Sequence, residues 1–168
     1  MRIVGVDPGM ATTGFGVVES DGCRSLLIDY GCIRTSAEDS TQSRLNCIYR
    51  ELRSVLKLTG GEVLVVEKLF FNKNSSSAMQ VGEARGVVIL AGHHASLPVF
   101  EYTPLQVKQA VTGYGRAEKR QIQQMVACLL ALKELPRPDD AADALALALC
   151  HAFMGQSRAA TVRRGEYV

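Results

Sequence analysis

Residues 2–20 read RIVGVDPGMATTGFGVVES, and the fold is decided in this stretch. RIVGVD is a short apolar run that ends on an acid, and Pro8 and Gly9 turn the chain directly after it. GFGVVES then reads as a second strand, in which Gly14 and Gly16 permit close backbone approach. SLLIDYGCIRT (25–35) is a third, so the chain opens as a meander of three strands. Further on, residues 40–58 carry Leu45, Ile48, Leu52, Val55 and Leu56 at helical spacing. VLVVE (63–67) is short and continuously apolar, as a strand buried on both faces would be. LFFNKNSSS (69–77) reads as a loop whose serines cap a helix running to about Ala95. PVFEY (98–102) is the fifth strand, and Pro104 starts a short helix that ends at Gly113. The glycine loop GYGRA (113–117) precedes a helix expected from about Glu118 to Leu132. Pro136 and Pro138 break the chain before the last helix, DDAADALALAL (139–149). Three meander strands followed by alternating helices and strands predict an α/β fold, a mixed sheet with helices on both faces. Residues 1–155 form one domain in this reading. Residues 156–168 form a basic, flexible tail containing Arg158, Arg163 and Arg164.

The 168 residues are 47% hydrophobic and 21% charged, the composition of an ordinary globular protein. The start of the chain has neither the apolar core nor the cleavage site of a signal peptide. No apolar stretch approaches the ~20 residues of a membrane span. Five scattered cysteines without CxxC spacing point to the cytoplasm, and away from a disulfide framework or a zinc site. Net charge is only +2, yet Lys108, Arg116, Lys119, Arg120, Lys133 and Arg137 outnumber Glu118 and Glu134 between 103 and 137. Such an excess suits a polyanionic partner, although each residue alone fits an ordinary solvated helix face.

Four acids give the chemistry. Asp7 and Glu67 end apolar strands, and Asp140 and Asp143 lie one turn apart at the start of the last helix. Each has a plainer reading: Asp7 as a turn former, Glu67 as a charge leaving the core, the Asp pair as a helix cap. Their conjunction favours convergence, since an alanine-rich helix can approach a sheet closely. Ionised carboxylates ~4 Å apart repel by about 4 kcal/mol per pair at an effective dielectric of ~20. A cluster of them therefore calls for a cation, and oxygen ligands suit Mg²⁺ or Mn²⁺. The chain thus reads as a metal-dependent phosphoryl-transfer enzyme. Phe70 and Phe71 stand beside Lys73 in a polar loop; one ring could stack on an unpaired base, or the rings could tuck into the core. Lys119 opens a helix after the glycine loop, where a phosphate would be well placed, or it is simply solvated. His93 and His94 receive no role, His151 reads as a satisfied core histidine, and Cys128 and Cys150 read as helix packing. No GxSxG, HExxH or GxxxxGK[ST] motif is present.

These motifs, from GVDPG and GFGVV through GCIRT, VEKLFFNKNSSSA, GEARGV and PVFEY to QVKQAVTGYGRAEKRQ and DDAADALALALCH, resemble those of the RuvC family. That family comprises crossover (Holliday) junction endonucleases of the ribonuclease H-like superfamily, and the resemblance spans residues 1–155. It implies a five-stranded mixed sheet flanked by helices, and Asp7, Glu67, Asp140 and Asp143 as catalytic metal ligands. It further implies Phe70 as the base-contacting ring, and Lys108 and Lys119 as backbone-contacting or catalytic lysines; on the residue reading, Lys73 is expected to bind phosphate beside that ring. The expected reaction is two-metal hydrolysis with Mg²⁺, Mn²⁺ substituting, which resolves four-way DNA junctions by paired nicks in recombination and repair. The products would carry 5′-phosphate and 3′-hydroxyl ends. A homodimer, with the helix from Ser76 to Ala95 (Gly82, Ala84, Gly86, Ala91, Gly92) as interface or as internal packing, is expected, as is a branch-migration complex of RuvA and RuvB. No membrane and no nucleotide cofactor is expected. The rivals are a ribonuclease H-like nuclease acting on RNA–DNA hybrid or a transposon end, an ATP-binding domain of the actin and sugar-kinase type, and a non-catalytic junction-binding scaffold.

Overall fold

Strands buried on both faces at the centre and helices buried along one side resolve into one sheet between two helical layers. The computed structural model describes residues 1–68 and 75–163, with side chains through 68 and from 78 to 155. The strands are β1 (Arg2–Asp7), β2 (Thr12–Ser20), β3 (Ser25–Arg34), β4 (Val63–Glu67) and β5 (Val99–Tyr102). The helices are α1 (Thr41–Thr59), α2 (Ser75–His94), α3 (Pro104–Thr112), α4 (Lys119–Leu129) and α5 (Asp139–Arg163). Strand order is β3-β2-β1-β4-β5. β1, β2 and β3 pair antiparallel, while β4 runs parallel to β1, and β5 parallel to β4. This is the expected mixed five-stranded sheet. Among the described residues no helix is long and apolar enough to cross a membrane.

Strand alternation sorts the core into two halves. Ile3, Val18, Val63 and Val65 face α3, α4 and α5. Val4, Val6, Val17, Leu64 and Val66 face α1 and α2. Because α5 lies against the centre of the sheet, its alanines and leucines from Ala144 to Leu149 are almost fully buried. Three glycines allow this approach. A Cβ built on Gly5 would stand 2.0 Å from the Ala144 carbonyl oxygen, and one on Gly14 would stand 2.1 Å from that of Asp140. Gly16 would meet Leu145 at 2.7 Å. Gly5 and Gly16 are partners in register, so they form a side-chain-free floor under the helix.

Helix boundaries follow local chemistry with two exceptions. The Ser40 hydroxyl accepts from the Ser43 N–H to cap α1, and Gly60 closes that helix at φ 62°. A capping box of Thr103 and Gln106 starts α3. However, α4 stops at Leu129, three residues short of expectation. Ala131 takes φ 51°, and the Leu132 N–H bonds back to the Ala127 carbonyl at 2.8 Å. That is a glycine-type helix stop made by alanine. Ser96 (φ 58°) ends α2 in the same way, with Leu97 N–H bonded to Gly92.

Candidate active site

Two acids are delivered by neighbouring strands. β1 and β4 pair in parallel up to Val6 with Val66, and the next residues, Asp7 and Glu67, line one cavity. Alternation puts both on the face covered by α5, with Ile3 and Gly5 on one strand and Val63 and Val65 on the other. On its other side Asp7 pairs with Gly14, the residue that receives the backbone of Asp140. The first turn of α5 is thus drawn down onto the strand next to Asp7. Behind it the β1–β2 turn is locked by buried Thr13, whose hydroxyl donates to the Gly9 carbonyl at 2.8 Å.

A cavity of about 200 Å³ opens there, lined by Asp7, Glu67, Asp143, Lys108 and Lys119 among others. Burial, and then the charges of Asp143, Glu67 and Asp140, push the Asp7 carboxyl up to about 7, with Lys119 opposing. The Glu67 carboxyl is raised by burial and by Asp143. Burial also raises Asp143, against the hydrogen bond and charge of Lys119. Lys119 Nζ lies 3.0 Å from Asp143 Oδ2 and 3.4 Å from Asp139 Oδ2. Burial alone would lower its pKa, but its bonds to these two acids outweigh that and raise it. Asp143, Glu67 and Asp140 thus all act on Asp7, while Asp140 itself is not among the residues that line the cavity.

The donor set fits a hard divalent cation: it is all carboxylate oxygen, in a place where negative charge already draws protons. Among the described residues, no three His, Cys, Asp or Glu side chains stand ready to hold a metal ion, and Lys119 balances Asp143.

Asp139, not singled out from the sequence, holds Lys119 and accepts a 2.9 Å bond from Gln123 Nε2. Its signal was available, because Asp139 and Asp143 are four residues apart and share a helix face. Cys32 also borders the site: it pairs with Gly14, and its thiol is raised by burial and by Asp140. His151 is buried, with Nδ1 2.9 Å from the Tyr102 hydroxyl, in keeping with a core histidine. Cys150 is buried, but Cys128 is exposed rather than packed, because α4 turns that face outward. Phe70, Phe71, Lys73 and the 164–168 end of the tail lie outside the described residues.

Comparison with known proteins adds identity to geometry. Residues 3–151 match the family model described as Crossover junction endodeoxyribonuclease RuvC. The protein of that name from Desulfitobacterium hafniense (strain DSM 10664 / DCB-2) is 55% identical over 152 residues, covering 90% of this chain and 92% of that one. Its counterpart from Caldicellulosiruptor saccharolyticus is 52% identical over 158 residues, covering 94% and 95%. Among solved structures, Thermus thermophilus RuvC in complex with Holliday junction substrate superposes with a TM-score of 0.89 at 38% identity. The superposition covers 94% of this chain and 96% of that one.

Proposed function

Because this chain belongs to the RuvC family of crossover junction endodeoxyribonucleases, we propose that Asp7, Glu67, Asp140 and Asp143 are its metal-holding catalytic acids. It is a metal-dependent Holliday junction resolvase with a ribonuclease H-like fold. We further assign the metal as Mg²⁺, two ions per subunit, with Mn²⁺ able to substitute. Such ions, when bound, supply Lewis-acid polarisation of the scissile phosphate and acidify water. The protein's part is to hold them and the strand. Asp7 stands where the other three charges converge, so it is the natural shared ligand. Glu67 flanks it on β4, and Asp140 and Asp143 close the site from α5. Lys119, released from Asp143 as that carboxylate turns inward, offsets charge on the pentavalent phosphate. In-line attack by water then leaves 5′-phosphate and 3′-hydroxyl ends, which are ligatable nicks. The observation carrying this reading is the adjacency of Asp7 and Glu67 beneath the first turn of α5. Purified protein with Mg²⁺ should nick a synthetic four-way junction in two like strands and leave an RNA–DNA hybrid intact; equal cleavage of the hybrid would favour another ribonuclease H-like nuclease.

DNA would reach the cavity along Lys108 and Lys119, with Phe70 stacking on a base and Lys73 holding a phosphate. Each phosphate neutralised makes log K fall by about 0.9 per decade of salt. Junction affinity of the intact protein should therefore drop steeply with salt, and Lys108→Ala should flatten the slope by about one. An unchanged slope would remove Lys108 from the DNA path.

A two-fold junction calls for two sites, and a homodimer supplies them with one surface patch used twice. The open face of α2 supports this. Among the described residues outside the helix's own backbone, no atom lies within 4 Å of where a Cβ would stand at Gly82 or Gly86, and Met79 and Leu90 are 70% and 47% exposed. Ala84, Ala91 and Gly92 are instead buried within the protomer. Gly86→Arg should give monomers in sedimentation while the fold, followed by circular dichroism, is kept; a persistent dimer would exclude this face. On family grounds we place the reaction in the cytoplasm, alongside RuvA- and RuvB-type branch-migration proteins.

A further inference from the structure

We propose that Arg85 is a positioning residue for Glu67: its guanidinium pins the end of β4 to both α2 and β5, and so fixes where the Glu67 carboxylate is presented. Arg85 lies on the inner side of α2 with its side chain only 20% exposed. Its Nε–H donates to the Glu67 carbonyl oxygen at 3.3 Å, and Nη2 donates to the Glu101 carboxylate in an ion pair. Glu101 pairs with Val66, one residue before Glu67, so the fork closes a small circuit through β4, β5 and α2. Among the described residues, the other restraints on this backbone come from β5. After Asp7 the neighbouring strand continues with Pro8, which has no N–H to offer. On the β5 side Glu67 pairs with Tyr102, and the Lys68 N–H bonds to the Tyr102 carbonyl at 2.8 Å. A carboxylate on the last residue of a strand would otherwise have more freedom to swing. Arginine suits the post because one planar group can serve a carbonyl and a carboxylate together, whereas a lysine ammonium is a single point on a flexible stem.

The inference rests on Glu67 being a metal ligand, and the test separates the two. Full-length wild type, Arg85→Lys, Glu101→Gln, the double variant and Glu67→Gln are compared by Mn²⁺-dependent rise in melting temperature, by single-turnover nicking of a four-way junction in Mg²⁺, and by junction affinity in EDTA. Arg85→Lys keeps the charge facing Glu101 but gives up the fork. It should weaken Mn²⁺ binding about ten- to a hundredfold, the range for lost groups that orient a ligand. Nicking at limiting metal should slow in proportion, with metal-free melting temperature and junction affinity unchanged. Glu101→Gln should act in the same direction, and the double variant should be no worse than Arg85→Lys, because both break one circuit. Wild-type metal binding in both single variants would overturn the proposal, as would loss of junction affinity in EDTA by Arg85→Lys. If Glu67→Gln itself leaves metal binding intact, the assignment of Glu67 fails first.

Discussion

Asp7→Asn is expected to slow single-turnover junction nicking by about a thousandfold or more, a loss of roughly 4 kcal/mol in transition-state stabilisation. Junction affinity in EDTA should not fall, because the change removes one negative charge from a site that faces phosphate. The same substitution has a stability signature that reports on the cluster directly. Asp7 titrates at about 7 in the folded chain against an ordinary 3.8. The folded state therefore keeps its proton longer, and without divalent ions stability falls as pH rises through the window from 3.8 to about 7. Over that window the loss is on the order of 4 kcal/mol. Asparagine has no such titration, so in EDTA at pH 8 the variant should melt higher than wild type. Added Mg²⁺ should raise the wild-type melting temperature and leave the variant's where it is. A variant that melts lower and loses junction binding along with cleavage would show that Asp7 is structural.

The second large effect is expected at Gly14. A methyl group there would lie 2.1 Å from the Asp140 carbonyl oxygen and 2.3 Å from its carbon, and both are backbone atoms that cannot rotate away. Gly14→Ala must lift the first turn of α5 by about an ångström, which carries Asp140 and Asp143 with it. Overpacking of this kind costs about 1–3 kcal/mol, a fall in melting temperature of roughly 3–10 °C for a chain of this size. Displacement of reacting groups by about 1 Å costs a further hundredfold in rate. Wild-type stability and rate in Gly14→Ala would mean that α5 is not seated by this contact.

The sheet was legible because its signals are local. VDPG stops a strand, VLVVE has no polar face to expose, and Ser40, Thr103 and Pro104 mark helix starts by their own chemistry. The four acids were legible only jointly, through strand ends and an i, i+3 pair. What drew them together was partly hidden, for Gly5 matters as much as Gly14 and Gly16 but sits unremarked within an apolar run. The helix end before Ala131 gave no warning, because alanine does not prefer a left-handed backbone and tertiary packing imposes it, whereas α2 ends at His94, about where the sequence placed it. In α2, small residues serve both purposes: Ala84 and Ala91 go inward and Gly82 and Gly86 outward, and size alone cannot divide them. Arg85 was invisible for a different reason. Its value lies in a carbonyl and a carboxylate 18 and 16 residues away, a pairing that no spacing announces.

Anomalous scattering from crystals grown with Mn²⁺ would examine the gathering of carboxylates most directly. Manganese should appear within about 2.5 Å of Asp7 oxygen, with Glu67, Asp140 and Asp143 turned toward it and Lys119 moved off Asp143. Full manganese occupancy elsewhere on the protein, with these four acids left unliganded in crystals that still nick a junction, would contradict the assignment.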